Sequence, residues 1–514
     1  MTATCIMVLG TTSGAGKSWL ATALCRHYAR QGFKVAPFKA QNMSNNARVV
    51  ASDDGLGEIG SAQYFQALAA RAVPDVRMNP LLLKPEADTH SQVVLLGLVS
   101  ASLTAMAWRE RSSHVWPHIA AALDALRAEN DVVVIEGAGS PAEINLSDSD
   151  IVNMRVALYG NAACLLVTDI DRGGAFAHLY GTWALLPEPE RHLIKGFVLN
   201  KFRGDAALLA PAPQRLQDLT GIPTVAVLPM WWQHGLPEED GMYPLQAALP
   251  APGGLPITIA VIAWPRISNL DEFQPLKNIP GVRLLWVRSP TELAGLQAND
   301  WIILPGSKAT ASDLAWLRTQ RLDAAVLAHA NSGGAVLGIC GGLQMLGSAL
   351  IDPHGVDGNA PGLGLLPLCT LFEPDKTVQY SQATFAACIA APALLPVTDM
   401  VHGEVDVANP WQALAGITVT GYEIHHGLTE ADLALTRASA SARVVLPNGL
   451  GWQNAAGNVL GLYLHGLFED PTALQALFAS RLSGPVPTLD SVFDGLADFI
   501  ERHIEPEVLA GLLA

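Results

Sequence analysis

Cys340 lies in a glycine-rich turn that follows a short apolar run, Ala335-Val-Leu-Gly-Ile-Cys340-Gly-Gly-Leu-Gln-Met-Leu-Gly347. Flanking glycines permit a sharp turn from a strand into a helix, and the start of that helix offers N–H groups to an oxyanion. The pattern therefore predicts a cysteine nucleophile that attacks a carbonyl carbon. The structural alternative is a buried cysteine in a glycine-rich packing contact.

His465 also follows an apolar run, in Val459-Leu-Gly-Leu-Tyr-Leu-His465-Gly-Leu-Phe-Glu469. A histidine at this point can take the proton of a thiol and later protonate a leaving amine. A lone histidine is more often structural, but a cysteine elbow in the same half of the chain favours catalysis. The other cysteines have no metal-binding or disulfide spacing: Cys5, Cys25, Cys164, Cys369 and Cys388.

A second glycine-rich loop follows the first apolar run, with the sequence Gly10-Thr11-Thr12-Ser13-Gly14-Ala15-Gly16-Lys17-Ser18. Backbone N–H groups of such a loop hold phosphates, the lysine neutralises their charge, and the serine hydroxyl can hold Mg²⁺. The spacing departs from the common P-loop, because Thr11 stands where a glycine is usual and Gly10 lies one residue earlier. A glycine-rich turn with a surface lysine is the structural alternative.

Glu136 ends another apolar run, in the sequence VVVIEGAGS. Open α/β sheets place ligand-binding groups at the carboxyl ends of their strands, and ATP-bound Mg²⁺ takes a carboxylate ligand there. A helix-capping or solvated acid is the alternative for this residue.

The candidate residues must be positioned by secondary structure, and the sequence around them consists of short apolar runs that alternate with amphipathic segments. Such runs are typical of parallel strands buried on both faces, so we expect two α/β domains with helices on both sides of each sheet. The predicted strands are 6–9, 132–135, 164–168, 197–199 and 224–228 in the first half, and 257–263, 283–287, 301–304, 335–339 and 459–463 in the second. The predicted organisation is a nucleotide-binding domain at 1–233, a linker at 234–255, a second domain at 256–473 and a helical extension at 474–514.

Composition limits the class of protein. The 514 residues carry a formal charge of −16 with no Lys/Arg-rich run, so electrostatic binding to nucleic acid is not expected. The longest apolar stretch, 385–397, is too short to cross a membrane and contains Pro392 and Pro396. The first residues are typical of a buried strand and not of a signal peptide. We expect a cytoplasmic protein, and the sequence leaves homo-oligomer formation open.

The deviant P-loop resembles that of dethiobiotin synthetase and its relatives, which activate carboxylates with ATP. This resemblance implies that Glu58 and Glu136 complete a Mg²⁺ shell with Ser18, and that Asn200 contacts adenine. A solvated acid is the alternative for Glu58, and a turn residue is the alternative for Asn200.

The second half resembles class I glutamine amidotransferases, which normally carry a glutamate two residues after the histidine. Leu467 stands there, so the orienting acid is expected to be missing, as in the cobyrinic and cobyric acid synthase branch. Glu469 is expected to point to solvent, with substitution for the missing acid as the alternative. Gly306 and Ser307 resemble the oxyanion-loop segment of the family, with a simple turn as the alternative.

Longer strings resemble the cobyric acid synthase family over essentially the whole chain, at 37–46, 78–85, 136–146, 169–177 and 421–425. The resemblance implies ATP- and glutamine-dependent amidation of the b, d, e and g carboxylates of adenosylcobyrinic acid a,c-diamide, with ammonia carried internally between the two sites. It makes Lys39, Gln41 and Asn42 candidates for contacts with the phosphoryl group or the substrate carboxylate. Asp169, Asp171 and Arg172 are similar candidates, whereas His425 and His426 are expected in a polar loop near the second site.

Three alternatives stay open at this point. Cobyrinic acid a,c-diamide synthase performs the same chemistry on an earlier substrate. A ParA-type nucleotide switch would share the P-loop but would not need Cys340 and His465. A glutaminase domain that has become inactive would leave free ammonia as the nitrogen source. No role is predicted for Asp53 and Asp54, because they lie in a stretch that is longer than the turn usual in the family.

Overall fold

The computed structural model describes residues 2–52, 55–87, 89–232, 234–237, 256–390, 409–432, 442–482 and 488–514. They form two compact units, one of Met1–Leu236 with Thr488–Ala514 and one of Pro237–Pro487. Most of the predicted linker, at 238–255, lies outside the described residues, as do Asp53, Asp54 and residues 391–397 of the longest apolar stretch. No helix in the described segments is both long and apolar enough to cross a membrane.

The first unit is built on a six-stranded parallel sheet with the strand order β12-β11-β10-β1-β9-β2. Its strands, with those of two small accessory sheets, are β1 (Thr4–Gly10), β2 (Val35–Phe38), β3 (Gln41–Met43), β4 (Ala47–Ser52), β5 (Gly55–Gly60), β6 (Leu81–Ala87), β7 (His90–Leu95), β8 (Leu98–Val99), β9 (Val132–Glu136), β10 (Ala163–Asp169), β11 (Ile194–Phe202) and β12 (Thr224–Pro229). Its helices before the second unit are α1 (Lys17–Arg30), α2 (Ser61–Ala69), α3 (Ala101–Ala105), α4 (Trp108–Glu129), α5 (Met154–Gly160), α6 (Ala175–Leu185), α7 (Glu188–Arg191) and α8 (Ala212–Thr220), with 3₁₀ turns at Val76–Met78, Ser147–Ser149 and Ala206–Leu209.

Strand β1 shows why the sheet is apolar throughout. Met7 and Leu9 pack into one hydrophobic cluster, while Ile6 and Val8 pack into a second cluster. Successive side chains of a strand point to opposite faces, so both faces of this strand are buried under helices. The expected parallel α/β architecture is confirmed.

The carboxyl ends of the strands meet at one edge of this sheet. Val8 of β1 stands beside Glu136 of β9, and Asp169 of β10 stands beside Asn200 of β11. The P-loop leaves β1 at the same edge, so the polar candidates of this half are gathered around it.

The second unit contains a seven-stranded sheet with the order β15-β13-β16-β18-β25-β24-β23. Five strands are parallel, and β24 and β23 extend the sheet antiparallel. The strands of this unit are β13 (Ile257–Ile262), β14 (Ile267–Ser268), β15 (Val282–Val287), β16 (Trp301–Leu304), β17 (Gly306–Ser307), β18 (Ala335–Ile339), β19 (Ala349–Ile351), β20 (Ala360–Pro361), β21 (Leu368–Thr384), β22 (Thr418–Ala431), β23 (Arg443–Leu446), β24 (Gly451–Gln453) and β25 (Val459–Leu462). Its helices are α9 (Pro290–Leu293), α10 (Thr310–Thr319), α11 (Leu322–Asn331), α12 (Gly341–Leu346) and Pro471–Phe478, with 3₁₀ segments at Leu270–Asn278, Ala387–Ala390 and Gln412–Leu414.

The predicted C-terminal extension divides between the two units. Helix Pro471–Phe478 belongs to the second unit, whereas Leu489–His503 and Pro506–Gly511 belong to the first. We call Leu489–His503 the capping helix, because its apolar face joins the hydrophobic cluster that also contains the buried face of α1. The fully buried Arg26 of α1 forms ion pairs with Asp490 and Asp494 of the capping helix.

Candidate functional site

The P-loop turns into α1 at Gly16, which has a φ of 104°. This left-handed backbone suits glycine, and a Cβ atom added there would lie 2.0 Å from Asn200 Nδ2. Lys17 Nζ donates hydrogen bonds of 3.1 Å to the carbonyl oxygens of Thr12 and Gly139. The ammonium group is therefore held between the P-loop and the loop that follows β9.

Thr11 explains the unusual spacing of the loop. Its N–H donates to the carbonyl oxygen of Val167 at 2.9 Å, and its hydroxyl donates to Thr168 Oγ1 at 2.9 Å. Gly10 lies under the lysine, where an added Cβ would meet Lys17 Cγ, Cδ and Nζ at 3.0 Å. The threonine thus ties the loop to β10, and the preceding glycine leaves room for the lysine stem.

Glu136 is the hydrogen-bonding centre of the first site. Its Oε1 accepts from Ser18 Oγ and Lys39 Nζ, each at 2.8 Å, and its Oε2 accepts from Gln66 Nε2 at 2.5 Å. Burial alone would raise the pKa of Glu136, but the Lys39 ammonium and the hydrogen bonds from Lys39, Ser18 and Gln66 outweigh it and lower the pKa. The side chain is 1% exposed and is kept as a carboxylate.

The donor set at Ser18 and Glu136 fits a magnesium ion. A hydroxyl and a carboxylate are hard oxygen ligands, and Mg²⁺ in nucleotide sites keeps phosphate oxygens and waters as its other ligands. In the described parts of the chain no cluster of three or more His, Cys, Asp or Glu side chains could hold a metal alone, so the fit depends on the nucleotide. Glu58, the third predicted ligand, is buried and forms an ion pair with Lys84.

Of the predicted substrate contacts Lys39, Gln41 and Asn42, Lys39 contacts Glu136 directly and Asn42 reaches it through Gln63. Asn42 Nδ2 donates to Gln63 Oε1 at 3.3 Å, and Gln63 Nε2 lies 3.5 Å from Glu136 Oε2. Gln41 is 7% exposed, and its Oε1 accepts no hydrogen bond from the described residues. A buried unsatisfied amide oxygen is costly, so this atom is a candidate acceptor for a ligand donor.

Asn200 braces the P-loop, since its Nδ2 donates to the carbonyl oxygen of Ala15 at 2.9 Å. Lys201 Nζ donates to the Gly14 carbonyl at 2.7 Å and to Asp169 Oδ2 at 3.1 Å, and Arg172 Nε lies 3.3 Å from the same carboxylate oxygen. Asp171, the other acid of this group, pairs with Arg203. These charges therefore form a cluster around the loop.

Two supports of this site were missed by the sequence reasoning. Asn153 clamps the loop after β9, because it donates to the Ala138 carbonyl at 2.8 Å and accepts from the Ala138 N–H at 3.1 Å. Gln66 orients Glu136 from helix α2. Neither residue belongs to a motif, so no sequence signal could have identified it.

Cys340 adopts the strained conformation that a nucleophile elbow requires, with φ 50° and ψ −107° at the start of α12. A Cβ on Gly342 would lie 1.8 Å from the Leu304 carbonyl oxygen, so glycine is obligatory there. The Cys340 residue is 5% exposed, and its Sγ lies 3.7 Å from the carbonyl oxygen of Ile424.

The predicted oxyanion segment lies against this elbow. The Ser307 N–H group would be 2.8 Å from a Cβ on Gly341, and a Cβ on Gly306 would be 3.0 Å from His465 Cε1. Ser307 Oγ donates to Asp313 Oδ2 at 2.6 Å. Burial raises the pKa of Asp313 to about 7, against the hydrogen bonds from Ser307 and the Arg266 backbone. The structure thus brings Gly306, Ser307, Cys340 and His465 together.

No acid stands at position 467, but a carboxylate from elsewhere in the chain contacts the histidine. Glu272 Oε1 lies 3.1 Å from His465 Nδ1, and both side chains are essentially fully buried. Burial alone would lower the pKa of His465, but the charge of Glu272 and the hydrogen bonds with Cys340 and Glu272 raise it to about 10. Leu467 is fully buried in the hydrophobic core, and Glu469 is half-buried. Sequence reasoning missed Glu272 because it lies 193 positions from the histidine in the chain.

His425 and His426 lie in strand β22 and not in a polar loop, because this segment pairs with β21. His425 Nε2 contacts Glu423 Oε2 at 3.1 Å, its Nδ1 contacts the Gly427 carbonyl at 2.9 Å, and its ring stacks on Tyr463 with centroids 4.0 Å apart. Burial, with the nearby Lys376 and Lys308 charges, lowers the pKa of His426 to about 4. His425 is thus part of a packed network beside Ile424, whose carbonyl faces Cys340.

Comparisons with known proteins agree with this two-site architecture. Residues 6–234 match the model of the CobQ/CobB/MinD/ParA nucleotide binding domain, and residues 258–473 match that of the CobB/CobQ-like glutamine amidotransferase domain. The chain is therefore an enzyme that joins a nucleotide-binding domain to a glutamine amidotransferase domain.

Curated relatives match it along the whole chain. It is 77% identical to the cobyric acid synthase of Albidiferax ferrireducens and 69% identical to that of Polaromonas naphthalenivorans, covering 100% of each pair of chains. The cobyric acid synthase of Variovorax paradoxus is 68% identical with the same coverage. The chain belongs to the cobyric acid synthase family.

Proposed function

We propose that this chain converts adenosylcobyrinic acid a,c-diamide into adenosylcobyric acid by amidating the b, d, e and g carboxylates, with ATP as activator and glutamine as nitrogen donor. The observation that carries the proposal is the presence on one chain of two sites: a P-loop whose Ser18 donates a hydrogen bond to the buried Glu136, and a cysteine elbow beside His465. The chain is 77% identical over its whole length to a curated cobyric acid synthase. This similarity supports adenosylcobyrinic acid a,c-diamide as the substrate rather than the earlier substrate of the diamide synthase. It also supports an enzyme rather than a nucleotide switch.

In the second unit, His465 takes the proton of the Cys340 thiol, and Cys340 Sγ attacks the side-chain amide carbon of glutamine. The N–H groups around Ser307 and the start of α12 are the candidate donors for the developing oxyanion. The C–N bond then breaks, His465 donates a proton to the leaving nitrogen, and ammonia departs from a thioester. Water hydrolyses the thioester with His465 as the base, which restores the cysteine and releases glutamate.

In the first unit, residues 10–18 hold the ATP phosphates and Lys17 neutralises their charge. The γ-phosphoryl group passes to a carboxylate oxygen of the corrinoid and gives an acyl phosphate and ADP. Ser18 and Glu136 would hold Mg²⁺, which supplies charge neutralisation at the phosphates. Lys39, with Gln41 and Asn42 beside it, positions the substrate carboxylate, and ammonia displaces phosphate to leave an amide.

The test is mass spectrometry of the corrinoid after incubation with MgATP and either glutamine or ammonium. We expect four successive amidations by the unaltered protein with either donor. Cys340→Ala should abolish the reaction with glutamine and keep it with ammonium, whereas Lys17→Ala should abolish both. Two amidations of cobyrinic acid with no reaction of the diamide would instead indicate the diamide synthase. ATP turnover without any amidation would indicate a switch protein.

A further inference from the structure

Glu272 sits in a well-packed part of the second unit. It belongs to the 3₁₀ segment Leu270–Asn278, whose Phe273 and Leu276 are fully buried in the hydrophobic core. The Phe273 ring lies 6.1 Å from the ring of Phe468, three residues after His465. Packing on both sides therefore fixes the backbone that carries Glu272.

Both oxygens of the Glu272 carboxylate are used at the histidine. Oε1 lies 3.1 Å from His465 Nδ1, and Oε2 accepts the N–H of Gly466 at 3.1 Å. This two-point contact ties the carboxylate to the turn that follows β25. An acceptor on Nδ1 places a proton there and leaves Nε2 for the thiol of Cys340.

The ring of His465 is also held from its face and from the backbone. Tyr422 stacks on it with centroids 5.2 Å apart and an interplanar angle of 17°. The backbone N–H of His465 donates to the Tyr422 carbonyl at 2.9 Å. In the described part of the second unit, the titratable groups facing the ring are Glu272 from the 3₁₀ segment, Cys340 from the elbow and Tyr422 from β22, with Glu469 beyond Gly466.

We propose that Glu272 is the positioning carboxylate of the glutaminase site, which holds the His465 ring in its reactive orientation and stabilises its protonated form in place of an acid at position 467. The inference rests on the proposed glutaminase function of Cys340 and His465. With His465 protonated, the Cys340 thiolate attacks the amide carbon, and the imidazolium gives its proton to the nitrogen as the C–N bond breaks. The neutral imidazole then takes a proton from the water that attacks the thioester, and Cys340 leaves as the thiolate.

The chemistry predicts a specific pH signature. The charge of Glu272 helps to raise the pKa of His465 to about 10, so the imidazolium persists well above neutral pH. Without that charge, the lowering of the pKa by burial is opposed less strongly, so the imidazolium is lost at lower pH. The alkaline limb of glutaminase activity should therefore move toward acid by at least about one pH unit.

The experiment compares Glu272→Gln and Glu272→Asp with Glu469→Gln as the matched control. It measures kcat and KM for glutamine hydrolysis between pH 6 and pH 10, together with ammonium-dependent amidation of the corrinoid. We expect Glu272→Gln to lower kcat by roughly 10²-fold or more with little change in KM and with a shifted alkaline limb. Glu272→Asp should recover part of kcat, and Glu469→Gln should behave as the unaltered protein.

The outcomes separate this inference from the proposed function. Wild-type glutaminase rates and an unshifted pH profile in Glu272→Gln would overturn the role of Glu272. Loss of the ammonium-dependent reaction as well, with no recovery in Glu272→Asp, would overturn it in favour of a purely structural role. If Cys340→Ala kept glutaminase activity, the proposed role of Cys340 would be wrong, and the inference about Glu272 would lose its basis.

Discussion

The amide of Asn200 occupies the space that a Cβ atom on Gly16 would need. Its Nδ2 would lie 2.0 Å from that atom, and the same nitrogen donates to the carbonyl oxygen of Ala15 at 2.9 Å. Asn200 of β11 and the glycine at the start of α1 are therefore matched in shape. This contact gives Asn200 a role in shaping the phosphate loop, in addition to the proposed contact with adenine.

Gly16→Ala should weaken ATP binding at least about tenfold, because the new Cβ meets Asn200 and because φ at this position is 104°. Isothermal titration calorimetry with ATP measures the effect. The double variant Gly16→Ala/Asn200→Ala removes the clash but keeps the unfavourable φ, so it should recover only part of the affinity. Full recovery in the double variant would show that backbone conformation contributes nothing.

Glu136→Gln should lower ATP-dependent amidation by roughly 10–100-fold, because it removes the charge that Lys39 and a phosphate-bound cation require. The loss should be the same with glutamine and with ammonium, since the defect lies in carboxylate activation. Glutamine hydrolysis by the second unit should be unchanged. Glu143→Gln, an exposed residue on the loop after β9, is the control and should leave every rate intact.

Asp313→Asn should flatten the pH dependence of stability. Burial raises the pKa of Asp313 from 3.8 to about 7, so the folded protein binds this proton more tightly than the unfolded chain. Protonation of Asp313 therefore stabilises the folded protein fully below about pH 4, and this stabilisation is lost as the pH rises through about 7. Thermal unfolding between pH 4 and pH 8 should show a smaller loss of Tm in the variant. An equal loss in both proteins would contradict the assignment of this proton to Asp313.

Leu496→Ala should destabilise the first unit by about 2–5 kcal/mol, because it opens a cavity where the capping helix covers α1. Leu496 is fully buried, whereas Leu219 is 66% exposed, so Leu219→Ala is the matched control. Denaturant unfolding measures both variants. Because α1 carries Lys17 and Ser18, ATP should protect the Leu496 variant less than the control. Similar stability in the two variants would exclude a role for the capping helix in holding α1.

Most of the parallel strands could be predicted because each is a nearly continuous apolar run, but the short β2, Val35–Phe38, was not among the predicted strands. Strand β18 was predicted at its observed bounds, Ala335–Ile339, and β25 to within one residue. Burial on both faces leaves little room for polar residues, so the pattern is strong. Strand β22 was not predicted, because its alternation of polar and apolar residues includes two adjacent histidines that are typical of a loop.

The site residues that could be predicted from the sequence are those that directly follow a predicted strand. Cys340 and His465 each stand at the carboxyl end of a buried run, and these ends meet in a parallel sheet. Glu272 and Gln66 approach from segments distant in sequence, whereas Asn153 lies 15 residues after Ala138, which it holds. Each is a single polar residue without a motif. Only the folded chain shows which of the many buried carboxylates and amides reaches the site.

The capping helix also has a consequence for the order in which the protein forms. The first unit consists of residues on both sides of the second, and the helix that covers α1 follows the whole amidotransferase unit in the chain. During synthesis the part of α1 that the capping helix covers therefore stays exposed until the rest of the first unit and the whole second unit have been made. The newly made chain completes its nucleotide-binding unit only after its glutaminase unit has been made, so an interrupted chain has no finished site for activating a carboxylate.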